Sequence, residues 1–309
     1  MEKVNCAIGD ELFAPAPKNS GDMEKISAKK LSAFQDGWLR MKQNKGSVVC
    51  LTVLLVVVFL ALAAPLFSQF NYYDTNYGAT FQAPNAVHWF GTDKFGRDQW
   101  ARIWYGTRIS LLIAVVAAAL DLVVGVTYGA VSAWFGGRVD AVMQRIIEVL
   151  IGIPNLIIVI LLMMILPAGV GTLILAMSIS GWVNMARLVR AEILKLKDQE
   201  FILAARVLGT SNRQIILRHM IPNTMGVIVI NTMLTIPNAI FTEAFLSFIG
   251  IGLAEPKASL GVLINSGFQV LSNHPYLLFI PAVVIVLIMI CFSMLGDGLR
   301  DAFDPRMRK

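Results

Sequence analysis

Charge is scarce in this sequence: 15% of its 309 residues are charged and 56% are hydrophobic, which excludes a water-soluble domain of this size. Cysteine is nearly absent. Cys6, Cys50 and Cys291 stand far apart, two of them inside apolar runs, so neither a disulfide framework nor a CxxC metal clip is available. The three histidines, His88, His219 and His274, fall in separate segments without metal-ligand spacing, and no metal site or other cofactor is expected. No GxxxxGK[ST] phosphate loop occurs anywhere, and no HExxH, GxSxG or paired-carboxylate constellation, so a membrane-embedded hydrolase finds no support. The net charge of +6 comes without a basic stripe interleaved with aromatics, which argues against a nucleic-acid partner.

What the chain does have is long apolar runs. Mean hydropathy is +0.67, and runs of about 20 apolar residues recur, the length an α-helix needs to cross a hydrocarbon core of about 30 Å. Spans are predicted at roughly 46 to 67, 109 to 134, 146 to 166, 171 to 189, 223 to 247 and 277 to 297, each bounded by charge, Gly or Pro. The expected fold class is therefore an all-α membrane protein of about six transmembrane helices, embedded in membrane lipid. The polar first 45 residues, with Pro15 and Pro17, lack the short apolar region and small-residue site of a cleaved signal, so the first apolar run is expected to remain as a membrane helix.

Segments 1 to 45, 135 to 145, 187 to 222 and 298 to 309 together hold 21 Lys and Arg, whereas 68 to 108 and 248 to 276 hold 5. Basic residues gather on the cytoplasmic side, so both termini and the loop around residue 200 are expected there. The outer loop carries Phe70, Tyr72, Tyr73, Trp89, Trp100, Trp104 and Tyr105, rings that favour the headgroup zone. Its Asp93, Arg97, Asp98 and Arg102 are expected to form a salt-bridge network rather than a docking surface.

Residues 195 to 222 read as two short helices. Asp198 can cap the first, which then places Phe201, Ala204, Ala205 and Leu208 on one face. Gly209 stands where a left-handed residue closes a helix. Ser211 and Gln214 form a capping-box pattern that starts the second helix, with Pro222 expected near its end. From physics alone, the small apolar face either docks a partner or packs internally, and internal packing is the commoner outcome.

The stretch from Glu200 through Ala204, Ala205 and Gly209 to Pro222 resembles the cytoplasmic loop of ABC-importer permeases: two alanines, three residues, Gly, then Pro. The general motif has Glu directly before the alanines, where this chain has Leu203, with Glu200 three residues earlier, as in the peptide-transporter branch. Two other segments are similar to that branch, His88 to Arg108 and Leu295-Gly-Asp-Gly-Leu-Arg-Asp-Ala-Phe-Asp-Pro-Arg, together with Glu243-Ala-Phe-Leu-Ser-Phe-Ile-Gly-Ile-Gly. The resemblance covers nearly everything after residue 30 and is to the C-type permeases of oligopeptide and dipeptide ABC importers.

That resemblance implies a type I ABC importer permease fold and a cell-membrane subunit without its own ATPase site. It divides the chain into a cytoplasmic tail (1 to 45), a first transmembrane helix (46 to 67), an extracytoplasmic loop (68 to 106), a permease domain (107 to 298) with a coupling loop at 190 to 222, and a cytoplasmic tail (299 to 309). Implied partners are a homologous B-type permease, two cytoplasmic ATP-binding subunits and an extracytoplasmic peptide-binding protein, on which selectivity is expected largely to rest. Coupling to the ATPase falls on Glu200, Phe201, Ala204, Ala205, Leu208 and Gly209.

Polar residues inside the spans are the other candidates, because an ionisable group at that depth costs about 2.5 kcal/mol or more unless it faces protein or water. Asp121 is either a pathway residue or a structural hydrogen-bonding group, with the structural role favoured; nearby Gly125 and Gly129 form a GxxxG pair. Asn231, Asn238 and Glu243, with Pro237, mark the fifth span as the best candidate for a wet wall. Glu243 stands equally well as a group that snorkels or caps near the outer end. Asn184 and Trp182 in the fourth span are pathway candidates too, although an interfacial anchor explains Trp182 as well, and Glu148 and Pro154 read as end-of-helix charge and kink. An ion-coupled secondary transporter would need a relay of buried charges, and here only Asp121 lies deep.

Overall fold

The computed structural model describes residues 33–303. Cys6, Pro15, Pro17, most of the polar N-terminal tail and the last residues of the C-terminal motif lie outside the described residues.

Regular structure among the described residues is helical, apart from one isolated bridge between Thr92 and Asp98. Helix α1 (Ala33–Gln43) leads into α2 (Lys45–Phe67), which starts where the Asn44 side chain accepts hydrogen bonds from the Gly46 and Ser47 amides. After the loop of residues 68–98 comes α3 (Gln99–Phe135), capped by Asp98, whose carboxylate accepts from the Ala101 amide at 2.8 Å. Its 37 residues extend over about 55 Å, far more than the hydrocarbon thickness. The second span is expected only from residue 109; the helix begins ten residues earlier because Asp98 supplies the cap and its first turns are buried, Arg102, Ile103 and Trp104 included.

The third expected span is not one helix. Helix α4 (Gly137–Gly152) and α5 (Asn155–Ile165) meet at a 79° bend next to Pro154, which locks φ and has no N–H to continue the helix. Glu148 is not at a helix end but inside α4, exposed and paired with Arg145 at 2.7 Å. Then follow α6 (Val170–Lys197), the short α7 (Glu200–Val207), α8 (Asn212–Phe248), α9 (Leu260–Gln269) and α10 (Tyr276–Phe303). Five helices are individually long and apolar enough to cross a membrane, and the bent α4–α5 pair is the sixth candidate.

The second of the two short helices does not stop near Pro222; α8 runs through it. Residues Ile215–Met220 form π-type turns and the Ile221 amide bonds the Ile216 carbonyl, and such wider turns accommodate a ring that a regular α-helix would reject.

Helices α3 and α6 make the most extensive packing in the molecule. A Cβ on Gly125 would lie 2.6 Å from Met185 Cβ, and one on Gly129 would strike the Ala186 carbonyl, so the GxxxG pair is the seam that lets these two backbones meet. One apolar cluster joins α2, α3, α5, α6, α8 and α10, and a second joins the far ends of α3 and α6 to α7 and α8. Only 28% to 50% of each span's most apolar window is buried within the chain, which leaves the remainder to lipid or a neighbouring subunit.

Candidate functional site

Four of the five intramembrane candidates converge. Asp121 from α3, Asn184 from α6, and Asn231 and Asn238 from α8 line one hollow of about 190 Å³, to which α5 adds Asn155. On α8 the polar residues recur at Asn231, Thr235, Asn238 and Thr242, the spacing that puts them on one helical face. Asn184 and Asn231 also line a second hollow of about 430 Å³ with Arg187 and Leu188, so the polar surface continues from Asp121 toward the α7 end of the bundle.

Asp121 is 6% exposed, and its Oδ1 has no hydrogen-bond partner. The expectation that it ties helices together through hydrogen bonds therefore fails at this oxygen. It lies against the bare backbone of Gly181, where any Cβ would fall on the carboxylate. Asn155, Thr235, Thr242 and Gly181 were not singled out from sequence. Asn155 was legible only as the residue that restarts a helix after Pro154, and the threonines only as members of the same face as the asparagines.

Glu243 does not join this wall, nor does it snorkel. It is 0% exposed, and its carboxylate accepts from Ser110 Oγ at 2.7 Å and Ser247 Oγ at 2.8 Å. Ser110 Oγ in turn accepts from the Leu260 amide. The knot ties α3 and α8 to the start of α9, where a Cβ on Gly261 would lie 2.6 Å from Ala244 Cα. A buried carboxylate persists at such a place only when its oxygens are satisfied, and Ser110, 133 positions from Glu243 in sequence, gives no local sign of meeting it.

At the other end of the bundle, α7 begins at Gln199 without a side-chain cap; Asp198 instead closes α6. Ile202 and Ala205 are buried against the second apolar cluster, whereas Phe201, Ala204, Val207 and Leu208 are exposed, the last two at 87% and 84%. The expected single apolar face is thus split: Ala205 packs inward, and Phe201, Ala204 and Leu208 point outward. Glu200 is exposed in the first turn, where a negative charge suits the helix dipole.

Gly209 has φ +77°, and the Thr210 and Gly209 amides bond the Ala205 and Arg206 carbonyls, the paired closure of a Schellman motif. Ser211 accepts from the Gln214 amide to start α8. Arg206 stacks on the Trp134 ring at 4.4 Å, and Lys197 donates to the carbonyls of Ala133 and Trp134 at 3.1 and 2.8 Å. The short helix, through Arg206, and the end of α6, through Lys197, are therefore both tied to the end of the same α3 that carries Asp121. Asp140 on α4, held by Arg190 Nε and Nη2 at 2.7 and 2.5 Å, braces α6 beside it.

The loop of residues 68–98, expected on the outer side, holds a buried ionic cluster. Arg97 Nε meets Asp93 Oδ2 at 2.6 Å, His88 Nδ1 meets Asp98 Oδ1 at 2.8 Å, and Arg102 donates to the Tyr72 carbonyl. Glu255, from the segment before α9, reaches Arg97 at 3.3 Å, a member that sequence distance concealed.

Residues 122–309 match the family model described as "Binding-protein-dependent transport system inner membrane component", and residues 32–84 match the "N-terminal TM domain of oligopeptide transport permease C". The chain is 47% identical over 302 residues to the oligopeptide transport system permease protein OppC of Bacillus subtilis (strain 168), covering 98% of this chain and 99% of the relative. It is 44% identical to the dipeptide transport system permease protein DppC of the same organism (98% and 95% covered) and 41% identical to OppC of Escherichia coli (strain K12) (92% and 95% covered). Among solved structures, an inward-facing MetNI methionine ABC transporter aligns at TM-score 0.55 and 17% identity over 66% of this chain and 96% of that one. An amino acid ABC transporter aligns at TM-score 0.50 and 20% identity over 64% and 92%. At that identity the likeness concerns the fold.

Proposed function

Since this chain belongs to the family of binding-protein-dependent transport system inner-membrane components, we propose that it is the permease subunit of an ATP-driven oligopeptide or dipeptide importer in the cell membrane. The observation that carries the peptide reading is the near full-length similarity to oligopeptide and dipeptide permeases. The geometry agrees with it: a polar hollow between α3, α6 and α8 forms half of a translocation pathway, and a homologous permease supplies the other half.

The exposed helix α7 docks on a cytoplasmic ATP-binding subunit, one of two, through Phe201, Ala204, Leu208 and Glu200. Movement of α7 reaches the pathway through Arg206 on Trp134 and Lys197 on the end of α3, because α3 is a single rod from there to Asp121 and on to the outer cluster. An extracytoplasmic peptide-binding protein delivers the substrate. Both termini lie in the cytoplasm, as the 21 to 5 division of basic residues requires. ATP is hydrolysed by the partner subunits, since this sequence holds no phosphate loop.

The test is reconstitution of the complete importer in vesicles, reading binding-protein-stimulated ATPase activity and tri-alanine uptake. Leu208→Glu puts a charge in a desolvated contact, so it should insert normally yet lose at least about tenfold in both. Wild-type levels of both would exclude α7 as the coupling contact, and an assembled wild-type complex that takes up no peptide would exclude the importer assignment.

A further inference from the structure

We propose that the hollow at Asp121 is a subsite for a primary ammonium group, the N-terminus of a peptide in transit; this rests on the importer reading above. An ionised carboxylate within a span is stable only if it meets a cation, a donor or water, and Asp121 Oδ1 meets no donor from the chain. Gly181 lets the carboxylate lie across α6, since any larger residue there would displace it.

The rest of the wall can supply further acceptors. Four asparagine amides each carry a carbonyl oxygen beside their NH2 donors, that of Asn155 already accepting from Ser180 Oγ at 2.7 Å. The Thr235 and Thr242 hydroxyls already donate to the Asn231 and Asn238 carbonyls of their own helix, so toward the hollow they present lone pairs only. An ammonium has three donors and no acceptor, which one carboxylate and neighbouring amide oxygens satisfy together. No lysine or arginine lines this hollow; Arg187 belongs to the adjoining one. Zinc fits worse, because it takes Cys, His or carboxylate ligands in threes or fours and no group of three or more His, Cys, Asp or Glu gathers among the described residues. The volume of about 190 Å³ far exceeds the ~15 Å³ that one water needs, so the terminal residue of a peptide can enter.

The experiment compares tri-alanine with N-acetyl-tri-alanine in vesicles bearing the complete importer, each uptake rate divided by the amount of that peptide held by the binding protein. Wild type should favour the free amine, and Asp121→Asn, which keeps shape but not charge, should lower that preference about tenfold, the effect of one charge-assisted hydrogen bond. An unchanged preference in an assembled Asp121→Asn complex overturns the subsite alone; a wild-type complex that imports neither peptide overturns the importer reading as well. A second measurement needs no variant: modification of Asp121 by an apolar carbodiimide in the wild-type complex, followed by mass spectrometry. Tri-alanine should slow it and N-acetyl-tri-alanine should not. Equal rates with both would make Asp121 a carboxylate without an amine ligand.

Discussion

Gly209 is the residue at which backbone geometry alone sets the cost of substitution. Its φ is +77°, and no heavy atom lies within 4 Å of where a Cβ would stand, so any side chain meets only the left-handed penalty of about 1–2 kcal/mol. A β-branched residue suffers most there and Asn least, so Gly209→Val should reduce stimulated ATPase more than Gly209→Asn, and equal losses would refute the backbone cause. Four residues earlier, Ala205 faces Ile202 and Ile215 in the core. Ala205→Glu should therefore lower the yield of folded protein, whereas Ala204→Glu, on the exposed side, should spare the yield and lose coupling. For Glu243, Gln keeps polar contacts for the two serines, while Leu strands both hydroxyls at about 1–3 kcal/mol for each buried group. Glu243→Leu should depress the melting temperature of the purified complex by several degrees and Glu243→Gln by much less.

At the scale of elements, α3 and α6 behave as one unit because their glycines allow backbone contact. Gly129→Leu would push its side chain into the Ala186 carbonyl and the Arg190 amide, neither of which can yield as a flexible side chain would. Overpacking of this kind costs about 1–3 kcal/mol or more, and the variant should show reduced assembly with the homologous permease by co-purification; normal assembly would mean that the seam can open. The GxxxG spacing was visible in sequence but not its partner helix, since such pairs are common in membrane helices. The 79° break between α4 and α5 and the continuous α8 are opposite outcomes of two prolines. Pro154 follows a helix that ends in Gly152, whereas Pro222 follows π-type turns that absorb its ring, a difference set by hydrogen-bond register rather than by composition.

For the whole molecule, orientation is the property that function depends on most. In a background lacking Cys6, Cys50 and Cys291, Ser211→Cys and Asn85→Cys place thiols at two exposed positions on opposite faces of the proposed topology. An impermeant reagent added outside the cell should label position 85 and spare position 211. The reverse pattern would invert the topology and separate α7 from any cytoplasmic ATPase.

The number and length of apolar runs, the Lys and Arg asymmetry and the helix–Gly–helix pattern after residue 199 are local properties of the chain, so the sequence by itself determined a helical membrane protein with a structured connector. Which polar groups meet is not local. Asp121, Asn184, Asn231 and Asn238 share a hollow because α3 and α6 pack at a register set by Gly125, Gly129 and Gly181 and α8 packs against both. Glu243 leaves that set because Ser110 and Ser247 enclose it, and Ala205 turns inward while Leu208 turns outward because α7 lies on the α6–α8 cluster by one edge only. Each of these is decided by side-chain volume and hydrogen-bond satisfaction across contacts distant in sequence, which only the tertiary structure brings together.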